Sequence, residues 1–281
     1  KGLSPKAKQI KQLAAKGVSR KQLQAAIEKA IVGKSGWLGG YTPGEASPSE
    51  VCRALGIKVA NEGELDELIA NSWDYERRGI AAAIAQLSVA QQTDPDGLRN
   101  SVIRIDTAKS AGKLLGVSKS EFTGVLGAHI GPLGVISIIA GSEEDADQLK
   151  RLYDSGYDST PHPAHTVIHE NAHRSHYQEI ERRSGIKKPA KGAGHREWDE
   201  YQAKVDDLVY GRLSREYHSD YEWASRVTKK TKDISWYATT DPFEAVAEYS
   251  TAVRLGYAKN DKDLDRLCRV ALAPVPRRLS R

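Results

Sequence analysis

PHPAHTVIHENAHRSHY, Pro161 to Tyr177, carries His169, Glu170 and His173 in the spacing H-E-x-x-H. On an α-helix, residues four apart stand on one face, so the two imidazoles reach one cation together. Glu170, beside the first of them, is placed to face a water on that cation. Zinc held with an open position lowers the pKa of such a water to about 7, and the carboxylate then takes its proton. The spacing has this meaning only on a helix. Pro161 and Pro163 punctuate its start, and Thr166, Val167, Ile168 and Ala172 supply an apolar side. The pattern predicts a helix running to about Arg182, before Gly185, Pro189 and Gly192 break it. His165 extends the four-residue stripe, and His176 follows His173 by three. The motif needs only two histidines, so both are read as bystanders or as supports for the ligands.

A third ligand is sought downstream, in DISWYATTDPFEAVAEYSTAVRLG, Asp233 to Gly256. Asp241 reads as an N-cap and Pro242 as the first helical residue. Ala245, Val246, Ala247 and Val253 then line a helix that closes near Gly256. Glu244 and Glu248 are four apart and share a face. One can bind a metal while the other accepts the distal N–H of a ligating histidine. Glu244 also occupies the capping-box position, and Glu248 also fits a solvated helix residue. The residues alone leave these readings open.

The two segments together resemble gluzincin metallopeptidases, most closely the anthrax lethal factor-like peptidase domains and related domains of phage and toxin proteins. The resemblance is carried by the H-E-x-x-H at His169–His173 and by Tyr237, the turn ATTDPF, then Glu244, Ala247 and Glu248. It covers about Leu133 to Gly256. It implies that His169, His173 and Glu244 bind zinc, that Glu170 is the general base and acid, and that Glu248 supports a ligand. It further implies that Tyr237 donates its hydroxyl to the oxyanion of the tetrahedral intermediate. A core aromatic beside Trp236 is the plainer reading of Tyr237. Two departures bear on substrate specificity. Position 171 is Asn where an apolar residue is common, and 71 positions (244 − 173) separate His173 from Glu244. That gap is expected to hold added helices, in REWDEYQAKVDDLVYGRLSREYHSDYEWASRV.

Peptidases of this type bind an extended peptide on an edge strand beside the active-site helix. LGVISIIAG, Leu133 to Gly141, is a β-branched run bounded by glycines. It fits that edge strand and fits a central buried strand equally, since periodicity does not separate them.

The chain has 281 residues, enough for a full core or for two domains. Charged residues make up 28%, and no apolar run approaches membrane-spanning length, so a soluble protein with no membrane span is expected. No segment has the layout of a secretory signal. The chain begins at Lys1 and contains no methionine, the pattern expected of a processed product or of a piece of a longer polypeptide. Cys52 and Cys268 are too few for a disulfide framework or a cysteine zinc site, and no bridge between them is expected. The net charge is +5, with basic clusters at Lys187–Arg196, Thr228–Asp233 and in the tail PRRLSR. These read as solvated loops and termini, and no folded nucleic-acid module is visible, so nucleic acid is not expected as a partner.

Residues 1–95 read as helical. SPKAKQIKQLAAKG and VSRKQLQAAIEKAIVG are two short amphipathic helices, each with a serine cap and a closing glycine. GKSGWLGGYTPGEASPSE reads as a loop, Val51–Leu55 as a third short helix, and about 62–92 as one long alanine-rich helix ending at TDPDG. No clustered acid–base set occurs here, which favours docking, regulation or assembly with a partner. From Leu98 the pattern is mixed. SVIRID reads as a strand, TAKSAGKLLG as a helix capped near Thr107, and SEEDADQLKRLYDSG as a helix with an acidic first turn.

The expectation is an α+β fold. A small sheet packs on a zincin-type pair of active-site helices in residues 96–281, with a helical insert at about 196–230, behind the helical region 1–95. The expected function is a zinc metalloendopeptidase acting on a protein or peptide substrate. The alternatives are a phage virion or toxin-associated structural or interaction protein that keeps the peptidase fold, and a zinc hydrolase of non-peptide amides. Retention of His169, Glu170, His173 and Glu244 together favours chemistry.

Overall fold

The computed structural model describes residues 2–35, 41–122, 124–140, 148–190, 192–217 and 229–279. It is a mostly helical α+β fold with a small mixed sheet. The chain forms two compact units, Lys1–Ala128 with Val135–Gln148, and His129–Gly134 with Leu149–Arg281.

In the first unit, α1 (Pro5–Ala15) and α2 (Arg20–Ile31) form where serine caps predict them. Ser4 accepts from the Ala7 N–H and Ser19 from that of Gln22. The glycine-rich stretch read as a loop also contributes a short antiparallel pair, β1 (Lys34–Ser35) and β2 (Tyr41–Thr42), while residues 36–40 lie outside the described residues. Helix α3 (Pro48–Leu55) starts earlier than its apolar residues suggest, because Ser47 caps it and Pro48 opens it.

The single helix expected over 62–92 is divided. A 3₁₀ turn at Glu62–Glu64 leads into α4 (Leu65–Ala70), and α5 (Asp74–Thr93) starts afresh. The break has a local cause. The Ser72 hydroxyl donates back to the Leu68 carbonyl, and the Glu76 carboxylate accepts the Trp73 N–H at 2.8 Å, capping the new helix. Helix α5 is buried nearly all round from Ile80 to Ser88, since α2 packs on it and so do strands of the sheet. Its run of alanines lets those neighbours approach closely.

A short α6 (Pro95–Leu98) follows. Then come β3 (Val102–Thr107), α7 (Ala108–Leu115) capped by Thr107, β4 (Gly127–Ile130) and β5 (Val135–Ala140). Strands β3 and β5 are parallel, with Val102 opposite Val135 and Thr107 opposite Ala140. The order is β3-β5-β4. Of the two places left open for the LGVISIIAG run, it takes the central one. All six residues of β5 are buried, as suits a strand covered on both faces. The edges are β3 and β4; the second of these, GAHI, was not announced by the sequence. Composition placed a division near residue 95. Packing places β3 and β5 with the N-terminal helices instead, because α5 rests on both strands.

The second unit holds α8 (Gln148–Asp154), α9 (His165–Ser184), α10 (His195–Tyr217), α11 (Pro242–Leu255) and α12 (Lys262–Val270). The expected helical insert appears as α10; residues 218–228 lie outside the described residues, as do residues 141–147 of the acidic helix start. Val205, Val209 and Leu213 of α10 meet Val246, Tyr249 and Val253 of α11 and Leu267 of α12 in one apolar core. Helices α9 and α11 pack on each other and carry the residues of interest. Cys52 and Cys268 are buried free thiols, each pushed up to about 12 by burial. Among the described residues, no helix is long and apolar enough to cross a membrane.

A candidate metal centre

Helix α9 places His165, His169 and His173 on one stripe, as four-residue spacing requires. Adjacent ring centroids are 5.6 and 4.8 Å apart. Gly185 closes the helix in the left-handed region at φ 75°. Helix α11 is capped by Asp241, whose carboxylate accepts the N–H groups of Phe243 and Glu244 at 2.7 and 3.0 Å. Asp241 thus caps the helix, and the Glu244 side chain turns to the histidines instead of reaching back as a capping box.

Three atoms converge. His169 Nε2 and His173 Nε2 are 3.0 Å apart, and Glu244 Oε2 is 3.1 Å from the first and 3.3 Å from the second. Glu244 Oε2 is buried and has no hydrogen bond of proper geometry. A tetrahedral ion with ligand bonds of about 2.0–2.1 Å sets its ligand atoms about 3.3 Å apart. The triangle therefore has the dimensions of one face of such a site, and the group can hold a metal ion. The electrostatics agree. Burial opposes charge on His169, yet the adjoining carboxylates of Glu244 and Glu248 hold its pKa well above the usual value. Burial likewise opposes the Glu244 carboxylate, and the two histidines outweigh it and drive its pKa down. Two imidazoles and a carboxylate packed this closely call for positive charge between them.

Glu248 is not a solvated helix residue. It is fully buried. Its Oε1 accepts from His169 Nδ1 at 2.7 Å and its Oε2 from the Ser159 N–H at 2.7 Å. That bond fixes the His169 ring and turns Nε2 toward Glu244 and His173. The Glu170 side chain is buried as well, and its Oε2 accepts the backbone N–H of His129 in β4 at 2.7 Å.

Tyr237 stands beside His169. Its ring stacks on the imidazole at 5.9 Å and on Tyr157 at 5.4 Å. The backbone pairs Trp236 N–H with Gly156 O and Tyr237 N–H with Tyr157 O, which holds the phenol there. Burial, the charge and hydrogen bond of Glu244, and the charge of Glu170 all push its pKa up, so the hydroxyl remains a proton donor. Trp236 and Tyr157 are both exposed and Tyr237 is half-buried, so the stacked rings of Trp236, Tyr157 and Tyr237 are not a core cluster.

The outer histidines divide. His165 Nε2 lies 3.3 Å from Glu248 Oε1. His176 is fully buried and bonds the Ala271 carbonyl through Nε2 at 2.7 Å. Burial pushes the His176 pKa down to about 4, although the Ala271 bond opposes this. The unfolded chain has this group near 6.5. Between pH 6.5 and 4 the unfolded state therefore holds a proton that the native state lacks. His176 contributes fully above pH 6.5, and its contribution is lost as pH falls to about 4, by about 3 kcal/mol in all. His176→Gln keeps a donor for Ala271 without titrating. Urea unfolding between pH 7 and 4 should show a shallower loss in this variant; an identical loss would place the acid sensitivity elsewhere.

Sequence reasoning brought together His169, Glu170, His173, Tyr237, Glu244 and Glu248. It missed the His129 and Ser159 amides, which donate through the backbone, and Asp158 and Tyr157, whose residue types carry no spacing signal. The chain matches no protein-family model, no curated protein and no solved structure, so the reading of this centre rests on its own geometry.

Proposed function

We propose that this protein is a zinc-dependent metalloendopeptidase of gluzincin type. The reading is carried by the convergence of His169 Nε2, His173 Nε2 and Glu244 Oε2, with Glu170 one residue from the first ligand. Two imidazoles and one carboxylate are a donor set that catalytic zinc takes, with room left for substrate. When bound, zinc supplies Lewis acidity and brings a water to about neutral pKa.

The chain's own groups then have defined tasks. One oxygen of Glu170 is held by the His129 N–H, and the other is available to take a proton from the attacking water. After attack on the carbonyl carbon, Glu170 returns that proton to the leaving amine. Tyr237 donates its hydroxyl to the oxygen on which charge develops. Glu248 keeps His169 oriented throughout. A peptide is favoured as substrate because β4 lies at an edge of its sheet and the N–H of its His129 meets Glu170. An exposed strand edge pairs with an extended chain through main-chain hydrogen bonds.

Tyr237→Phe should lower turnover by about 10- to 1,000-fold at unchanged metal content. Unchanged turnover would leave Tyr237 as a packing group between His169 and Tyr157. The proposal as a whole is tested by exposing the zinc-loaded protein to a peptide library and reading fragments by mass spectrometry. Cleavage stopped by a chelator and restored by zinc supports it. A fully zinc-loaded protein that cleaves no peptide would withdraw the peptidase assignment.

A further inference from the structure

We propose that His165 is a positioning residue of the metal centre: its Nε2–H, donated to Glu248, fixes the carboxylate that in turn holds His169 by Nδ1. The inference rests on the metal reading above and extends it by one turn of α9.

Glu248 is a carboxylate with no exposure, and such a group needs donors on both oxygens. Oε2 has the Ser159 N–H at 2.7 Å. Oε1 has two imidazoles, His169 Nδ1 at 2.7 Å and His165 Nε2 at 3.3 Å. The two rings lie 27° from parallel with centroids 5.6 Å apart, so the helix repeat presents both nitrogens to one oxygen. On His165, Nε2 is the nitrogen aimed at acceptors. It also lies 3.9 Å from Asp158 Oδ2, whereas Nδ1 has no hydrogen-bond partner. Deleting His165 would leave Oε1 with His169 as its one remaining donor, so that the carboxylate gains freedom to turn about its Ser159 contact. The 2.7 Å bond that orients His169 would loosen with it.

His165, His169 and Glu248 also have the spacing of a second metal site. Two observations weigh against an ion there. His169 Nδ1 stands at hydrogen-bond distance from Glu248. A cation on Nδ1 together with one on Nε2 would require both ring nitrogens bare, in a pocket where all three residues are buried. One donated proton satisfies the same atoms more simply.

The test compares His165→Gln, whose amide nitrogen falls near the Nε2 position, with His165→Asn, whose amide is too short to reach Glu248. His165→Ala replaces Asn should that variant not fold. Zinc affinity is measured by chelator competition on each. In parallel, the His169 Nδ1 proton is sought by NMR, with and without zinc, as a downfield resonance slow to exchange. The expected result is wild-type affinity in His165→Gln and a loss of about 10- to 100-fold in His165→Asn, with the proton protected in the first and exchanging in the second. Equal affinity in all three, or equal loss in both variants, overturns the positioning role. So does a second zinc per chain that both variants lose. If the wild type takes no zinc, the peptidase reading fails by itself, and the NMR arm still decides on His165. A His169 proton equally protected in all three chains would then refute the inference.

Discussion

Glu170→Gln should bind its metal as the wild type does and hydrolyse peptide about 10²- to 10⁴-fold more slowly, the range general acid–base catalysis commands. The separation of the two properties follows from the geometry. Glu170 is not among the three atoms that converge, so the metal site is untouched. The glutamine amide oxygen still accepts the His129 N–H that Glu170 Oε2 accepts now, which keeps α9 and β4 in register. What the amide lacks is a lone pair basic enough to take a proton from water at neutral pH. Activity and metal content measured on the same sample distinguish the outcomes. Full turnover with metal present would remove Glu170 as base and assign proton transfer to another group.

Glu244→Ala should lose metal where Glu170→Gln keeps it. The variant leaves only His169 and His173 at the centre. Glu248 does not replace the missing oxygen, because it is fully buried, faces Nδ1 of His169 and is held by Ser159. Affinity should fall by more than about 100-fold, beyond the upper end of what outer hydrogen-bond partners contribute. The fold should persist, since Asp241 caps α11 without help from the Glu244 side chain. Titration with zinc against a chelator checks this, with circular dichroism as control for folding. Retained affinity would mean that Glu244 is an ion-pair partner of the histidines and not a ligand.

Much of the centre was legible because its chemistry is tied to helical spacing. His169 with His173, and Glu244 with Glu248, are each four apart, and proline and aspartate mark where each helix begins. Spacing also separates their roles once the two helices are packed, since Glu244 reaches Nε2 of His169 and Glu248 reaches Nδ1. The supports were not legible. His129 and Ser159 act through backbone N–H groups, which every residue but proline possesses. The break before α5 rests on the Ser72 and Glu76 side chains bonding backbone, a competition that apolar periodicity does not register. The placement of VISIIA in the centre of the sheet, with GAHI at its edge, follows from what packs on either side. A run of apolar residues carries no record of that.

The most direct measurement is the metal content of the purified chain by elemental mass spectrometry, before and after dialysis against zinc. The account predicts about one zinc per chain, removable by a chelator and regained on return of the metal. A chain that holds none after zinc is supplied would contradict it. His169, His173 and Glu244 would then be a buried, proton-sharing cluster, and the function would have to be sought in binding.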